Sequence, residues 1–125
     1  MTRATRPTLP EPTERQIQRA VAEVLDLAGV LWTHVPNEGR RDGKTGKLMK
    51  AAGMKAGVPD VLIFDRPPKF PQCPGIAIEL KRRGGRSSDA QKQWLTNLHA
   101  RGWIVVTSDS VDHALDLLRR CGYIK

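Results

Sequence analysis

The sequence predicts a single α/β domain whose helices and strands follow one another in the order α-β-β-β-α-β-α. Three observations favour this order: helical spacing of apolar residues near the N-terminus, two apolar strands joined by a connection too short for a crossover helix, and a helix-strand-helix succession near the C-terminus. We assign the domain to residues 13–125 and interpret the proline-rich residues 1–12 as a flexible arm.

The N-terminal half provides one helix, one strand and a basic segment. Thr13 opens a capping box, and apolar residues then recur at helical intervals until Gly29 ends the helix. Residues 30–35 are predicted to form a strand. Residues 37–56 are rich in glycine and lysine with little periodicity, so we predict a mobile basic loop there.

The C-terminal half provides three strands and two helices. Strands at 61–64 and 76–81 are predicted to be antiparallel neighbours, because a turn-rich connection joins them. A second capping box starts a helix at residues 88–101, a buried strand follows at 103–107, and apolar spacing over 111–118 predicts the last helix.

Charged and amide side chains occur where these elements otherwise have a buried pattern. Glu79 and Lys81 alternate to the same face of one strand, and Asp60 immediately precedes its neighbour. Glu14 and Gln91 fall on the inner faces of two helices. Because buried carboxylates are normally paired or bound to metal, and Mg²⁺ prefers oxygen ligands, we interpret Asp60 and Glu79 as a candidate cation site.

Each of these residues also has a structural interpretation that the sequence leaves open. Asp60 could form a turn after Pro59, and Glu79 with Lys81 could be an ion pair on an edge strand. Glu14 could complement the dipole of its helix at the first turn. The interpretation as a cation site rests on their combination, because random burial would not assemble these residue types from four different elements.

The charge of the chain favours a nucleic-acid partner. Lys and Arg number 21 against 13 acidic residues, which gives a net charge of +8. Candidate DNA-binding residues lie in the basic loop and just after the strand that carries Lys81. They are Asn37, Arg40, Arg41, Lys44, Lys47, Lys50, Lys55, Arg82, Arg83 and Arg86.

The remaining signals concern location and single residues. No apolar run is long enough to span a bilayer, so we expect no membrane contact and a cytoplasmic location, in a bacterial cell or a phage-infected host.

Cys73 and Cys121 are expected to be reduced, with one disulfide as the alternative. We interpret His34 as a satisfied strand residue, and Trp94 and Trp103 as packing residues.

The order of the candidate site residues resembles that of the PD-(D/E)XK nuclease superfamily. Pro59-Asp60 and Glu79-Leu80-Lys81 stand where that pattern requires them. Over residues 13–118 the chain more specifically resembles the virus-type replication-repair (VRR-NUC) nuclease family, through Glu14, Pro36-Asn37-Glu38-Gly39, Lys55-Ala56-Gly57-Val58-Pro59-Asp60, Ser88-Asp89-Ala90-Gln91 and Trp94. This resemblance implies a restriction-endonuclease-like αβββαβ core, with a mixed central sheet flanked by helices.

The resemblance also implies a chemistry, namely Mg²⁺-dependent hydrolysis of DNA phosphodiester bonds, with Mn²⁺ as a substitute. Asp60, Glu79 and the backbone carbonyl of Leu80 would ligate the metal, and Glu14 would join through a second metal or a bridging water. Lys81 would position the nucleophile, and Gln91 would orient Lys81 or the water.

The expected substrate is branched DNA. Stand-alone chains that this one resembles are homodimers that cut four-way (Holliday) junctions, a DNA-repair activity, and the tail at residues 122–124 is a candidate dimer surface. Two alternatives stay open: a flap or duplex endonuclease that uses the same site, and a non-catalytic nucleic-acid-binding module.

Overall fold

The computed structural model describes residues 10–36 and 43–125. Most of the predicted arm and residues 37–42 of the predicted loop lie outside these ranges. The elements are α1 (Glu14–Ala28), β1 (Trp32–His34), α2 (Gly43–Ala51), β2 (Val61–Ile63), β3 (Ile76–Leu80), α3 (Asp89–Ala100), β4 (Ile104–Ser108) and α4 (Val111–Cys121).

The four strands form one mixed sheet in the order β1-β2-β3-β4. β2 pairs antiparallel with both β1 and β3, whereas β4 pairs parallel with β3 after the α3 crossover. The mixed α/β architecture flanked by helices is therefore confirmed, including the antiparallel pairing of the two strands joined by the turn-rich connection.

The hydrophobic core lies between the sheet and helices α1 and α4. α1 contributes Ile17, Val21 and Leu25, and α4 contributes Ala114, Leu118 and Cys121, all fully or almost fully buried. These side chains meet the alternate β3 residues Ile76, Ile78 and Leu80 and two residues of β2. Glu79 therefore projects to the opposite face of β3, on which α3 provides its contact.

The predicted basic loop is wrong over residues 43–51, because this segment forms helix α2. Lysine, leucine, methionine and alanine are good helix formers, so local propensity supports a helix here. The apolar periodicity that would have revealed it is absent because α2 buries little; Leu48 stays 66% exposed. Helices that pack weakly against a core give no amphipathic signal.

Other predicted boundaries differ by one or two residues, since strands end where pairing ends rather than where apolar sequence ends. β1 is shorter than residues 30–35, and the fourth strand begins at Ile104 instead of Trp103. Both cysteines are free, as expected. In the described ranges, no helix combines the length and the apolarity that crossing a membrane demands.

Candidate active site

Asp60 and Glu79 face each other at the ends of two central strands. The pairing of Val61 with Ile78 places Asp60 across from Glu79 in the antiparallel register. Asp60 Oδ2 accepts a hydrogen bond of 2.7 Å from the backbone N–H of Leu80. Since the N–H and C=O of a strand residue point the same way, the Leu80 carbonyl also lies on the Asp60 side, beyond the end of β2.

Glu79 is a fully buried carboxyl group. Its side chain has no exposed surface, and no N–H or hydroxyl group among the residues described donates a hydrogen bond to its Oε2 atom. Burial first, then a hydrogen bond to the Asp60 carboxyl and the charges of Asp60 and Glu14, together raise the pKa of Glu79 from 4.5 to about 9, although the charge of Lys81 acts in the opposite direction. Without a cation, this pair of carboxyl groups therefore retains a proton at neutral pH.

Gln91 connects the lysine to the buried acid. Its Oε1 accepts hydrogen bonds from Lys81 Nζ at 3.0 Å and from the Ser88 N–H at 2.8 Å, and its Nε2 donates to Glu79 Oε1 at 3.2 Å. The orientation of the amide follows from its neighbours, because two of them can only donate. Lys81 Nζ lies 3.8 Å from Glu79 Oε1 and is mostly buried, so the ammonium group is fixed beside the acidic pair.

The first turn of α3 holds Gln91 in place. Ser88 caps the helix and forms a capping box with Gln91, so one side chain serves both the helix terminus and the site. Gly57 packs against the same turn: a Cβ atom there would lie 2.5 Å from the carbonyl carbon of Ala90. Trp94 Nε1 donates to the carbonyl of Ala56 at 3.0 Å, and this bond joins α3 to the segment preceding Asp60.

An open cavity of about 350 Å³ gives access to this group. Leu80, Lys81, Asp60 and Gln91 form one part of its wall, and α1 and β1 form the other. The residues from α1 and β1 are Glu14, Arg15, Gln18 and His34. All five predicted catalytic residues therefore converge here, four of them in the wall and Glu79 behind it.

Glu14 is exposed rather than inward-facing, although it lies on the cavity wall. Its charge is the smallest of the causes that raise the pKa of Glu79. Across residues 10–36 and 43–125, no group of three or more His, Cys, Asp or Glu side chains is arranged to hold a metal ion. A direct ligand role for Glu14 stays a prediction.

Sequence reasoning missed Gln18 and Arg15 as cavity residues and assigned His34 only a local role. The spacing of Gln18, one helical turn after Glu14, was the available signal. His34 is satisfied as predicted, because its Nδ1 lies 2.9 Å from the Asp60 carbonyl. A carbonyl only accepts, so Nδ1 carries the proton, and the ring also lines the cavity.

The candidate DNA-binding residues fall into three groups. Asn37, Arg40 and Arg41 lie outside the described residues, as does the side chain of Lys44. Lys47, Lys50 and Lys55 are exposed on or just after α2. Arg82, Arg83 and Arg86 are exposed just after β3, and Arg83 forms a surface ion pair with Glu11 at 3.3 Å.

The donor set fits a hard divalent cation. Asp60 and Glu79 provide two facing carboxyl groups, one oxygen of which is buried with no N–H or hydroxyl donor among the residues described, and the Leu80 carbonyl provides a further oxygen. A cation could replace the proton that the pair otherwise retains. The mixed sheet with its acidic pair and lysine defines an α/β domain of the nuclease type.

Comparison with known proteins gives the family. A family model described as the VRR-NUC domain matches residues 12–112. The chain belongs to the VRR-NUC family of nuclease-type domains, as the residue pattern predicted.

Solved structures agree on the fold. A "VRR_NUC domain protein" superposes with a TM-score of 0.69 at 20% identity, covering 90% of this chain and 93% of the other. A "VRR_NUC domain" superposes with a TM-score of 0.56 at 19% identity, covering 86% and 97%. No curated protein gives a significant match.

Proposed function

We propose that this chain is a Mg²⁺-dependent DNA endonuclease, in which Mn²⁺ can substitute for Mg²⁺. The observation that carries the proposal is the buried carboxyl pair of Glu79 and Asp60, in which Glu79 Oε2 receives no N–H or hydroxyl donor from the residues described. A solely structural acid pair would cost stability at neutral pH, since burial and like charge disfavour its ionised form. A cation bound between the two carboxyl groups would offset this cost. Asp60, Glu79 and the Leu80 carbonyl would hold the cation, and Glu14 would act through a second cation or a bridging water.

When bound, the cation would supply Lewis-acid stabilisation of the phosphate and favour ionisation of the attacking water. The water oxygen forms a bond to phosphorus, and the bond from phosphorus to one sugar oxygen breaks, leaving a phosphate monoester and a hydroxyl group. Lys81 Nζ, fixed by Gln91 at 3.0 Å, orients the water and offsets negative charge that develops on the phosphate. Gln91 acts by positioning Lys81 and Glu79 relative to each other.

The substrate that we propose is branched DNA, four-way junctions in particular, as expected for a role in DNA repair. Two cations line a second cavity of about 330 Å³: the mostly buried Lys81 and the exposed Arg82. Lys81 also lines the first cavity, so the two cavities meet at this residue. A phosphate backbone that passes from one cavity to the other would cross the acidic pair beside this lysine.

Cutting a symmetric junction on both strands requires two sites, so we propose a homodimer with two-fold symmetry. The tail at residues 122–124 is occupied within its own chain, since the Tyr123 hydroxyl donates to the Asp65 carbonyl and Ile124 packs against the core. These residues are half-buried rather than fully buried, so the tail stays a candidate dimer surface. We further propose a cytoplasmic location without membrane contact, consistent with a DNA substrate.

The test is cleavage of four-way junction, flap, duplex and single-stranded DNA by the purified chain with Mg²⁺. Paired symmetric nicks on the junction support a resolvase, whereas cutting restricted to flaps or duplexes supports those alternatives. Asp60→Asn should abolish cleavage but preserve DNA binding, because the amide oxygen still accepts from the Leu80 N–H while the ligand charge is lost. Binding by both proteins should weaken steeply with salt.

Lys81→Ala separates the nuclease from a non-catalytic binding module. The nuclease proposal expects it to abolish cutting, since no other ammonium among the residues described bonds to Gln91. If the wild-type chain binds each DNA but cuts none with Mg²⁺ or Mn²⁺, the non-catalytic module is correct.

A further inference from the structure

Gln18 is an unsatisfied group in the same site. It lies on α1 and lines the cavity beside Asp60 and Lys81. Both polar atoms of its amide, Nε2 and Oε1, are buried, and neither has a hydrogen-bond partner within the described part of the chain. A buried polar atom left without a partner costs about 1–3 kcal/mol, so a ligand that supplies partners to this amide would stabilise the protein.

An apolar side chain would suit this position better if stability alone mattered. Gln18 directly follows Ile17 and precedes Val21, both of which are fully buried in the core. Buried polar groups in native proteins are almost always satisfied, and exceptions concentrate at functional sites. The side chain on the other wall shows the contrast: all of the polar atoms of Gln91 are bonded, to Lys81, Ser88 and Glu79.

The chemistry of the missing partner follows from the two atoms. Oε1 requires a donor and Nε2 requires an acceptor, and a ligand in the cavity that Gln18 lines could supply both once the amide turns toward it. Waters that hydrate a cation are strong donors, and phosphate oxygens are strong acceptors. Mg²⁺ characteristically retains several waters and binds substrate phosphate directly. A hydrated cation with a phosphate group would therefore satisfy both atoms at once.

We propose that Gln18 is a positioning residue for the hydrated cation and the DNA phosphate. Its Oε1 accepts a hydrogen bond from a water molecule of the hydrated cation, and its Nε2 donates to a phosphate oxygen. This assignment rests on the proposed cation site at Asp60 and Glu79 and adds α1 to it. Gln18 and Gln91 would then hold the reacting groups from opposite walls.

The test uses Gln18→Met, which has similar length and no amide. In metal-free buffer its melting temperature should rise above that of the wild type, because the unsatisfied atoms are gone. Its affinity for Mn²⁺ alone, measured by calorimetry, should fall about tenfold, the effect typical of losing a group that hydrogen-bonds a metal ligand. Gln18→Glu retains an acceptor and should therefore retain Mn²⁺ affinity.

The control is Gln93→Met on α3, where the exposed glutamine is bonded to Asn97. It should change neither Mn²⁺ affinity nor stability appreciably. If Gln18→Met lowers the melting temperature, or binds Mn²⁺ as tightly as the wild type does, the role of Gln18 is refuted while the cation site stands. If the wild type binds no Mn²⁺, or Asp60→Asn binds it equally well, the cation site itself is refuted and the Gln18 assignment with it.

Discussion

Replacing Glu79 by glutamine should stabilise the metal-free protein at neutral pH and remove much of its pH dependence. The pKa of Glu79 is raised from 4.5 to about 9, chiefly by burial and then by Asp60. The folded chain therefore retains a proton on Glu79 that the unfolded chain releases above pH 4.5. Because the folded state binds more protons, its stability is greatest at low pH and falls as the pH rises from 4.5 to about 9.

The magnitude follows from the linkage relation. Each pH unit over which the folded chain retains one extra proton lowers the free energy of unfolding by about 1.4 kcal/mol. At pH 7 the free energy of unfolding is therefore lower than at pH 4.5 by on the order of 3 kcal/mol. Glutamine retains the size of glutamate without a titrating proton. The free energy of unfolding of Glu79→Gln should therefore exceed that of the wild type at pH 7 by up to this amount, which is a large fraction of the stability of a small domain.

The assay is urea unfolding of both proteins with a chelator at several pH values between 5 and 8. The difference between the two free energies of unfolding isolates Glu79, because every other ionisable side chain is common to both proteins. Saturating Mg²⁺ should stabilise the wild type and reduce its pH dependence, but should leave Glu79→Gln nearly unchanged. Parallel pH curves for the two proteins without metal would refute the buried, protonated acid on which the cation site depends.

Two further changes test how the site is held. Ser88→Ala should cost about 1 kcal/mol of stability and also reduce cleavage, because it breaks the capping box that orients Gln91. The control Ser110→Ala, at the cap of α4, should lower stability without reducing cleavage. Gly57→Ala should destabilise the protein more than Gly53→Ala does. Both glycines have positive φ, but only a Cβ atom at Gly57 would collide with α3, which adds about 1–3 kcal/mol of strain.

Both pairs are compared by denaturant unfolding and by cleavage rate with Mg²⁺. Equal losses of cleavage in Ser88→Ala and Ser110→Ala would mean that the capping box does not position Gln91. Equal destabilisation by the two glycine substitutions would mean that the close contact between Gly57 and α3 can relax without cost.

The fold was largely predictable because its signals are local. Capping residues and 3.6-residue spacing located α1 and α3, and both capping boxes occur as expected. Two-residue alternation placed Glu79 and Lys81 on the same face of β3, where they lie 3.8 Å apart. A short connection fixed the antiparallel pairing that sets Asp60 across from Glu79.

The sequence by itself determined the order of the elements other than α2, the acidic pair, the adjacent lysine and the family. Only the tertiary structure decided that Gln18 and His34 reach the same cavity, that residues 43–51 are helical, and that no N–H or hydroxyl group among the residues described donates to one oxygen of Glu79. The physical reason is the sequence distance over which each signal acts, since periodicity and capping involve only a few neighbouring residues. Burial and hydrogen-bond satisfaction depend on side chains that the fold brings together from distant parts of the chain.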